Sequence, residues 1–519
     1  MTLASLKFAR KPTLFSSTPF LCVRKVVPRF IAGVGAETLT NIQGIVSIRK
    51  EEKQNFPAWK RLSSAELGIC NSMIGSSTKK VLNGLKKKGY DVYLVGGCVR
   101  DLILNQTPKD FHIITSAELK EVMRTFSWCE IVGKRFPVCH VQLDGTIVEV
   151  SSFDAKFKAD FEFSHHTEAL NGVDKKDHLR WMNCLNRDFT INGLMLDPHA
   201  RIVYDYFGGI EDIRKAKVRT IIPAETSFKE DCAHILRAIR IAARIGFSIS
   251  KEAAHHIRKL SSSVLSLDKG RLLMEMNHML AYGSGEASLR LLWKFGLLDI
   301  LFPFQAAYFA HHGFQRRDRR TNMLLSLFSN LDKLLAPNRP CHNSLWVGIL
   351  ALHKTLSDRP RDPLAVAAFS ITIHNGGNLS EAVYIAGMIN KPHDVRFPEL
   401  LNHSGLETES LEAEILDLAE SVRGTMLQMT NEYFVSQAMA DYPQAPHSNL
   451  VFIPLSLYLE VYKIFDGVRV STVQKFLSKQ RREIDYDSLA LGNLQEVRHV
   501  FARVVFDTVY PIHQNQSQL

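Results

Sequence analysis

The stretch Tyr93–Thr115, YLVGGCVRDLILNQTPKDFHIIT, decides the reading of this chain. Val92–Val95 is a short apolar run and reads as a buried strand. Gly96 and Gly97 follow it. From Cys98 to Leu104 the spacing is helical, with Val99, Leu102 and Ile103 on one face and Arg100 and Asp101 off it. Asn105–Lys109 contains a proline and reads as a turn. Asp110–Thr115 reads as a second strand, and residues two apart in a strand share a face, so Asp110 and His112 are expected side by side. A glycine turn that opens a helix suits an anion, because backbone N–H groups gather there. A carboxylate beside an imidazole suits a metal ion. Each feature also has a plainer reading: a Gly-Gly pair after a strand can serve close packing alone.

The rest of the chain sets bounds on these readings. Its 519 residues allow several domains, and 45% hydrophobic with 23% charged residues describes a protein with a full core. A net charge of +11 suits a polyanionic partner such as nucleic acid, although a merely basic organellar protein would look the same. The eight cysteines are scattered without a Cys-x-x-Cys pair, so neither a zinc site nor a disulfide framework is expected. No apolar run is long enough for a bilayer, so no membrane partner is expected.

Residues 1–45 carry Lys7, Arg10, Lys11, Arg24, Lys25 and Arg29, several hydroxyls, and no acid before Glu37. That composition predicts a transit peptide to a chloroplast or mitochondrion. Residues 46–75 read as a polar lead-in with one helix, and residues 76–90 as an amphipathic helix. Ser116–Phe126 reads as a helix capped by Ser116. Phe136–Leu143 and Thr146–Phe153 read as a hairpin about Asp144-Gly145. Glu149 falls mid-strand, where burial of a carboxylate is costly without a partner; a metal shared with Asp110 would be one, and an edge position facing water another. Residues 154–184 read as a loop, with His165 and His166 in it. In NRDFTINGL, Arg187, Asp188 and Asn192 interrupt an apolar segment read as a helix start, which would set Asp188 and Asn192 on one face. Residues 201–222 hold a strand, a Gly-Gly turn and a short helix. Residues 225–247 read as one strong helix, with Glu230, Asp231, His234, Arg237, Arg240 and Arg244 along its polar side. Arg237, Arg240 and Arg244 make a basic stripe that could face phosphates or water. From residue 250 onward the pattern is helical. Basic clusters recur at His311–Arg320 and Lys479–Arg482.

Taken in order, LVGGCVRDLIL, PKDFHI, VEVSSF, NRDFTINGL and FKEDCAHILRAIRIAARIGF resemble the bacterial-type poly(A) polymerase and CCA-adding enzyme family, of the polymerase-β-like nucleotidyltransferase superfamily. The match runs over roughly residues 76–303, and IVGKRFPVCHV resembles the stretch that accompanies the poly(A) polymerases. The resemblance implies an α+β chain: a nucleotidyltransferase head with a small mixed sheet (76–222), a helical neck (223–270), and an RNA-binding helical body and tail (271–519). It implies template-independent addition of AMP from ATP to RNA 3′ ends, or, as an alternative, CCA addition to tRNA. Asp110 and Glu149 would hold magnesium, Gly96 and Gly97 would cradle the triphosphate, and Arg100 would belong to the same nucleotide site. Arg187, Asp188 and Asn192 would hold sugar and phosphates. Asp231 and His234 would meet the base edge, and Arg237 and Arg240 would face phosphates or base.

Two positions depart from the family. Its Asp-x-Asp is Asp110-Phe111-His112 here, which makes His112 the third member of the catalytic and metal set and favours manganese over magnesium, since imidazole is a softer donor than carboxylate. Its Glu-Asp-x-x-Arg ends here in His234. These departures keep a further alternative open: a catalytically weak or inactive relative that binds RNA or nucleotide.

Overall fold

The computed structural model describes residues 59–133, 137–153, 174–335, 339–401, 407–441, 454–468 and 483–511. The transit-peptide expectation, His165, His166 and the Lys479–Arg482 cluster lie outside these residues. Trp59–Leu519 hold together as one compact unit.

The apolar runs of the head become one mixed sheet of eight strands, ordered β1-β8-β7-β2-β3-β6-β5-β4. They are β1 (Lys60–Ser63), β2 (Val92–Val95), β3 (His112–Thr115), β4 (Cys129–Val132), β5 (Val138–Leu143), β6 (Thr146–Ser152), β7 (Leu194–Asp197) and β8 (Ile202–Asp205). The β3–β6 pair is parallel and the other neighbours are antiparallel. β2, central and buried along its whole length, is the expected strand. The hairpin also forms as expected: Asp144 and Gly145 both take positive φ, 49° and 74°, the two-residue turn that matches strand twist.

Helices cover both faces. α1 (Ser76–Lys87) buries Val81, Leu82 and Leu85 on one face, together with α2 (Gly97–Ile103) and α3 (Leu119–Thr125). α4 (Lys175–Leu185) covers the other face, where Tyr93, Phe153, Tyr204 and Tyr206 form a second small core. Arg180 is buried in that core. It bonds the hydroxyls of Tyr93 and Tyr206 and pairs with Asp177, so the charge is fully answered.

Several expectations change here. β3 starts at His112, so Asp110 precedes the strand and does not share its face by strand periodicity. α3 starts at Leu119 with a Glu118–Glu121 capping box, while Ser116 accepts from the Asp91 N–H instead. The lead-in contributes strand β1 and a single helical turn at Asn71–Met73 among its described residues. The stretch read as a loop at 154–184 contains α4, whose apolar spacing is diluted by charged residues.

The head ends with α5 (Gly209–Arg214) and β9 (Lys217–Val218), which pairs with β10 (Ser248–Ile249) of the neck. The single helix read at 225–247 is two: α6 (Ala224–Glu230) and α7 (Ala233–Ile245). Asp231 breaks the run, since its extended backbone ends α6 and its carboxylate accepts from the Ala233 N–H that opens α7. α8 (Lys251–Lys259), α9 (Lys269–Leu280) and α10 (Gly285–Phe295) complete the junction with the body. Gly296, at φ 75°, ends α10, and Pro303 stands at the first position of a later helix. The remaining described body is helical, built around the buried helices α14 (Asn343–Asp358), α15 (Pro363–His374) and α21 (Leu494–Val509). Before them come α11 (Leu298–Leu301), α12 (Pro303–His311) and α13 (Met323–Leu334), and between α15 and α21 come α16 (Leu379–Gly387), α17 (Thr408–Thr430), α18 (Glu432–Ala440), α19 (Leu455–Phe465) and α20 (Tyr486–Ala490).

Candidate active site

Gly96 has φ 83°, a conformation that side chains rarely adopt, and a Cβ there would stand 2.7 Å from Arg187 Nη1. A Cβ on Gly97 would stand 3.3 Å from Arg100 Nη2. Two guanidinium groups therefore lean over a turn that only glycine can form. Arg187 Nε is buried with no hydrogen-bond partner among the described residues. An orphan donor over a bare backbone turn is the chemistry of an anion cradle.

Behind the turn lies an interlocked polar network. Arg100, expected off the apolar face of α2, is 7% exposed, and its Nε and Nη2 bond Asp101 Oδ1 at 2.9 and 2.6 Å. Arg100 Nη1 donates to Asn192 Oδ1 at 2.6 Å, and Asn192 Nδ2 donates to Asp188 Oδ1 at 3.0 Å. Asp188 Oδ2 meets Arg237 Nη2 at 2.9 Å. Asp188 and Asn192 thus touch, but by another geometry than the expected helix face: Asp188 precedes a single 3-10 turn, Thr190–Asn192, and Asn192 ends it. Burial alone would raise the Asp188 carboxyl, yet Arg237, the Asn192 amide and the Phe189 N–H together hold it below the ordinary carboxylate value.

The neck supplies the far wall. His234 Nδ1 and the Ser227 hydroxyl share a hydrogen bond of 3.0 Å, and His234 Nε2 lies 3.7 Å from Asp231 Oδ2. The three residues sit at the α6–α7 break, and the His234 charge bears on Asp188. Arg240 points elsewhere, to Glu275 of α9 at 3.4 Å; Glu275 also meets Arg271 at 3.5 Å. Of the stripe read from sequence, Arg237 belongs to the glycine-turn network, and Arg240 faces the α9 side.

The carboxylate wall is different. His112 and Glu149 are paired neighbours on β3 and β6, with Nδ1 3.4 Å from Oε2. His112 Nε2 and Ser151 Oγ share a hydrogen bond of 2.9 Å. On the other side of Glu149 stands His140 of β5, its Nε2 3.8 Å from Oε1. The hydrogen bond with His112 is the main influence that keeps the Glu149 carboxyl below its usual value, against partial burial. Asp110 is exposed and has no hydrogen bond or ion pair among the described residues. No group of three or more His, Cys, Asp or Glu side chains among the described residues is arranged to hold a metal ion. Two carboxylates and an imidazole already turned onto one of them do not fit a pair of magnesium ions held by three carboxylates.

His140 escaped the sequence reading, although a signal existed. The two-residue turn fixes Leu143 opposite Thr146, and counting back along both strands sets His140 opposite Glu149. Lys109 also escaped. It lies close enough to Glu149 to act on its charge, and its Nζ donates to Tyr282 Oη at 3.2 Å, joining head to neck.

The expected RNA-facing arginines divide. Arg316, itself exposed, is engaged by Asp299 at 2.7 Å and by the Trp293 ring at 3.8 Å, and Arg320 is engaged by Asp318. Arg317 and Arg319 are exposed.

The mixed sheet thus carries a glycine turn backed by an Arg–Asn–Asp–Arg network and bordered by a helical neck. Residues 92–219 match the family described as Poly A polymerase head domain, and residues 246–309 match the probable RNA and SrmB-binding site of polymerase A. The chain is 30% identical to poly(A) polymerase I of Haemophilus influenzae over 279 residues, 53% of this chain and 61% of that one. It is 34% identical to poly(A) polymerase I of Escherichia coli O6:H1 over 50% of this chain and 56% of that one. It is 33% identical to the CCA-adding enzyme of Geobacillus thermodenitrificans over 43% of this chain and 53% of that one. The chain thus spans a little over half the length of the curated relatives it matches. Among solved structures, the CCA-adding enzyme of Bacillus stearothermophilus in complex with CTP aligns over 75% of this chain and 81% of that one, at 24% identity and a TM-score of 0.41. Among the described residues no helix is long and apolar enough to cross a membrane.

Proposed function

We propose that this protein is a template-independent RNA nucleotidyltransferase that adds AMP from ATP to RNA 3′ ends. The observation that carries this reading is the network joining three separate sequence motifs over one glycine turn: Arg100, Asn192, Asp188 and Arg237, with Arg187 above Gly96. Such an arrangement holds a triphosphate by its charge while the neck presents Asp231 and His234 to a base. The chain's own residues bind and orient; positioning of the two reactants supplies much of the rate in phosphoryl and nucleotidyl transfer. In the family, divalent ions assist the transfer; here the exposed Asp110 and the paired His112 and Glu149 do not fit a magnesium pair held by three carboxylates. The similarity to poly(A) polymerase I over the head favours AMP addition; CCA addition is the alternative that the similarity to CCA-adding enzymes supports.

A second reading rests on a specific observation. His112 is engaged by Glu149 and Ser151, so the catalytic wall is closed on itself while the nucleotide wall is intact. A protein built this way binds nucleotide and RNA without turnover. The acid-free basic composition of residues 1–45 supports an organellar destination, which a fluorescent fusion to that segment tests: entry into an organelle is expected, and a diffuse cytosolic signal opposes it. The function itself is tested by incubating the protein with labelled RNA, each NTP separately, and magnesium or manganese. Extension with ATP alone is expected. Extension with CTP then ATP selects the CCA reading, and binding without extension selects the second.

A further inference from the structure

The end of α9 carries a feature that the nucleotide site does not use. His278 and Tyr282 lie with ring centroids 5.3 Å apart and planes 35° apart, both half-buried. Lys109 sits over the Tyr282 ring, 4.8 Å from its centroid. Lys109 also adjoins Asp110 in sequence and acts on Glu149, so these rings stand one side chain from the carboxylate wall. Lys109, Arg240, Arg244 and Arg271 all press on His278, and with burial, the larger effect, they push its imidazole down to about 4. The ring is therefore neutral at physiological pH. Among these four cations, Glu275 answers Arg240 and Arg271, which leaves a surplus of positive charge around an uncharged aromatic surface.

We infer that the His278–Tyr282 ring pair seats the 3′-terminal base of the RNA, with Lys109, Arg240 and Arg244 holding the adjoining phosphates. This rests on the nucleotidyltransferase reading and adds the place of the second substrate. Single-stranded nucleic acid is held in general by bases stacked on aromatic rings and phosphates on flanking cations. A nucleoside triphosphate is the weaker candidate for this surface, because its own seat lies at the glycine turn with Asp188 and Arg237. Arg240 and Arg244 stand one and two turns further along α7, on the α9 side. The plainer account of Lys109 and Tyr282 is a latch between head and neck through the phenol hydroxyl alone.

The test uses the full chain and a single-stranded RNA carrying 2-aminopurine, at its 3′ end or at an internal position, with ATP affinity measured separately. The native protein is expected to quench the 3′-terminal probe more than the internal one. Tyr282→Leu should weaken RNA binding about ten-fold, the loss of one base–aromatic stack, and abolish the terminal quench while leaving ATP affinity unchanged. Tyr282→Phe, which keeps the ring and loses the hydroxyl, should retain the quench. His278→Ala should lose part of the quench, and it serves as the independent variant if Tyr282→Leu does not fold. Equal effects of Tyr282→Phe and Tyr282→Leu would establish the latch and overturn the seat. Native affinity and native quench in Tyr282→Leu would overturn the seat while leaving the nucleotidyltransferase reading in place. A native chain that binds neither ATP nor RNA overturns both.

Discussion

The two walls of the site are built on opposite principles. The nucleotide wall is buried and interlocked: Arg100, Asn192 and Asp188 are each under a tenth exposed and each holds the next, ending on Arg237. The carboxylate wall is open. Asp110 is exposed, and Glu149 is nearly half-exposed between two imidazoles. A buried charge network tolerates little change, because each charge left alone in the interior costs far more than the pair contributes. An open wall tolerates substitution without loss of fold. The departure from the family pattern at His112 falls on the wall where it costs the fold least, so the fold alone says little about turnover, and substitutions on each wall should have different signatures.

The largest effect is expected at Asp188. Asp188→Ala leaves the buried Asn192 amide without its acceptor and takes the partner from Arg237, which is a third exposed; this should destabilise the protein by about 1–3 kcal/mol and abolish ATP binding. Thermal melting and ATP titration of the same variant measure both. Because the Asp188 carboxyl is held below its unfolded value of 3.8, its contribution is present above that pH and fades as the pH falls through the lower folded value. Asp188→Asn should therefore remove part of the native protein's acid sensitivity below about pH 4. A variant that melts like the native protein would mean that this wall is no more interlocked than the other.

Next comes His112→Asp. It should raise magnesium-dependent AMP addition by about ten-fold or more, equivalent to about 1.4 kcal/mol of transition-state stabilisation, because it returns an oxygen donor and a negative charge beside Glu149. Without metal the same change sets two carboxylates together, so magnesium should raise the melting temperature of the variant and barely move that of the native protein. Native activity that is already fast with magnesium, and slower in the variant, would make His112 an adapted catalytic residue.

Gly96→Ala comes third. The left-handed φ and the 2.7 Å approach of Arg187 Nη1 should together cost about 1–3 kcal/mol and weaken ATP binding, with Gly68→Ala, also at positive φ but in open space, as the control for strain alone. Equal losses of ATP affinity in the two variants would remove the cradle from Gly96.

Legibility from sequence followed the same division between local and distant causes. The strand–glycine–helix unit and the Asp144-Gly145 hairpin were readable because period and turn chemistry are local. Asp188 and Asn192 were brought together for a wrong reason, since sequence spacing cannot distinguish a helix face from a 3-10 turn that folds its last residue, Asn192, back onto Asp188. The break at Asp231 was hidden because a carboxylate can sit within a helix or cap the next one, and only its backbone decides. The α4 helix was hidden because its spacing carries Asp177 and Arg180, buried polar residues that spoil an apolar period yet answer each other in the core. Lys109 and Tyr282 are 173 residues apart, and no local pattern predicts their meeting.

The smallest effects should come from the body arginines, where the contrast between held and open charges recurs within one cluster. Arg316 is a structural charge: it answers Asp299, whose carboxyl burial pushes up even against that guanidinium, and it covers the Trp293 ring. Arg317 and Arg319, its exposed neighbours, have no such tasks among the described residues. If RNA crosses this surface, each exposed arginine that meets a phosphate releases counterions, so Arg317→Ala and Arg319→Ala should each lower the slope of log affinity against log salt by about 0.7 for single-stranded RNA. Neither should change the melting temperature measurably. Arg316→Ala should do the reverse, lowering the melting temperature while leaving the salt slope as it was, because its charge is already spent on Asp299. A salt slope that falls only in Arg316→Ala would show that the held arginine is released to RNA on binding. A slope unchanged in all three would move the RNA path off this cluster.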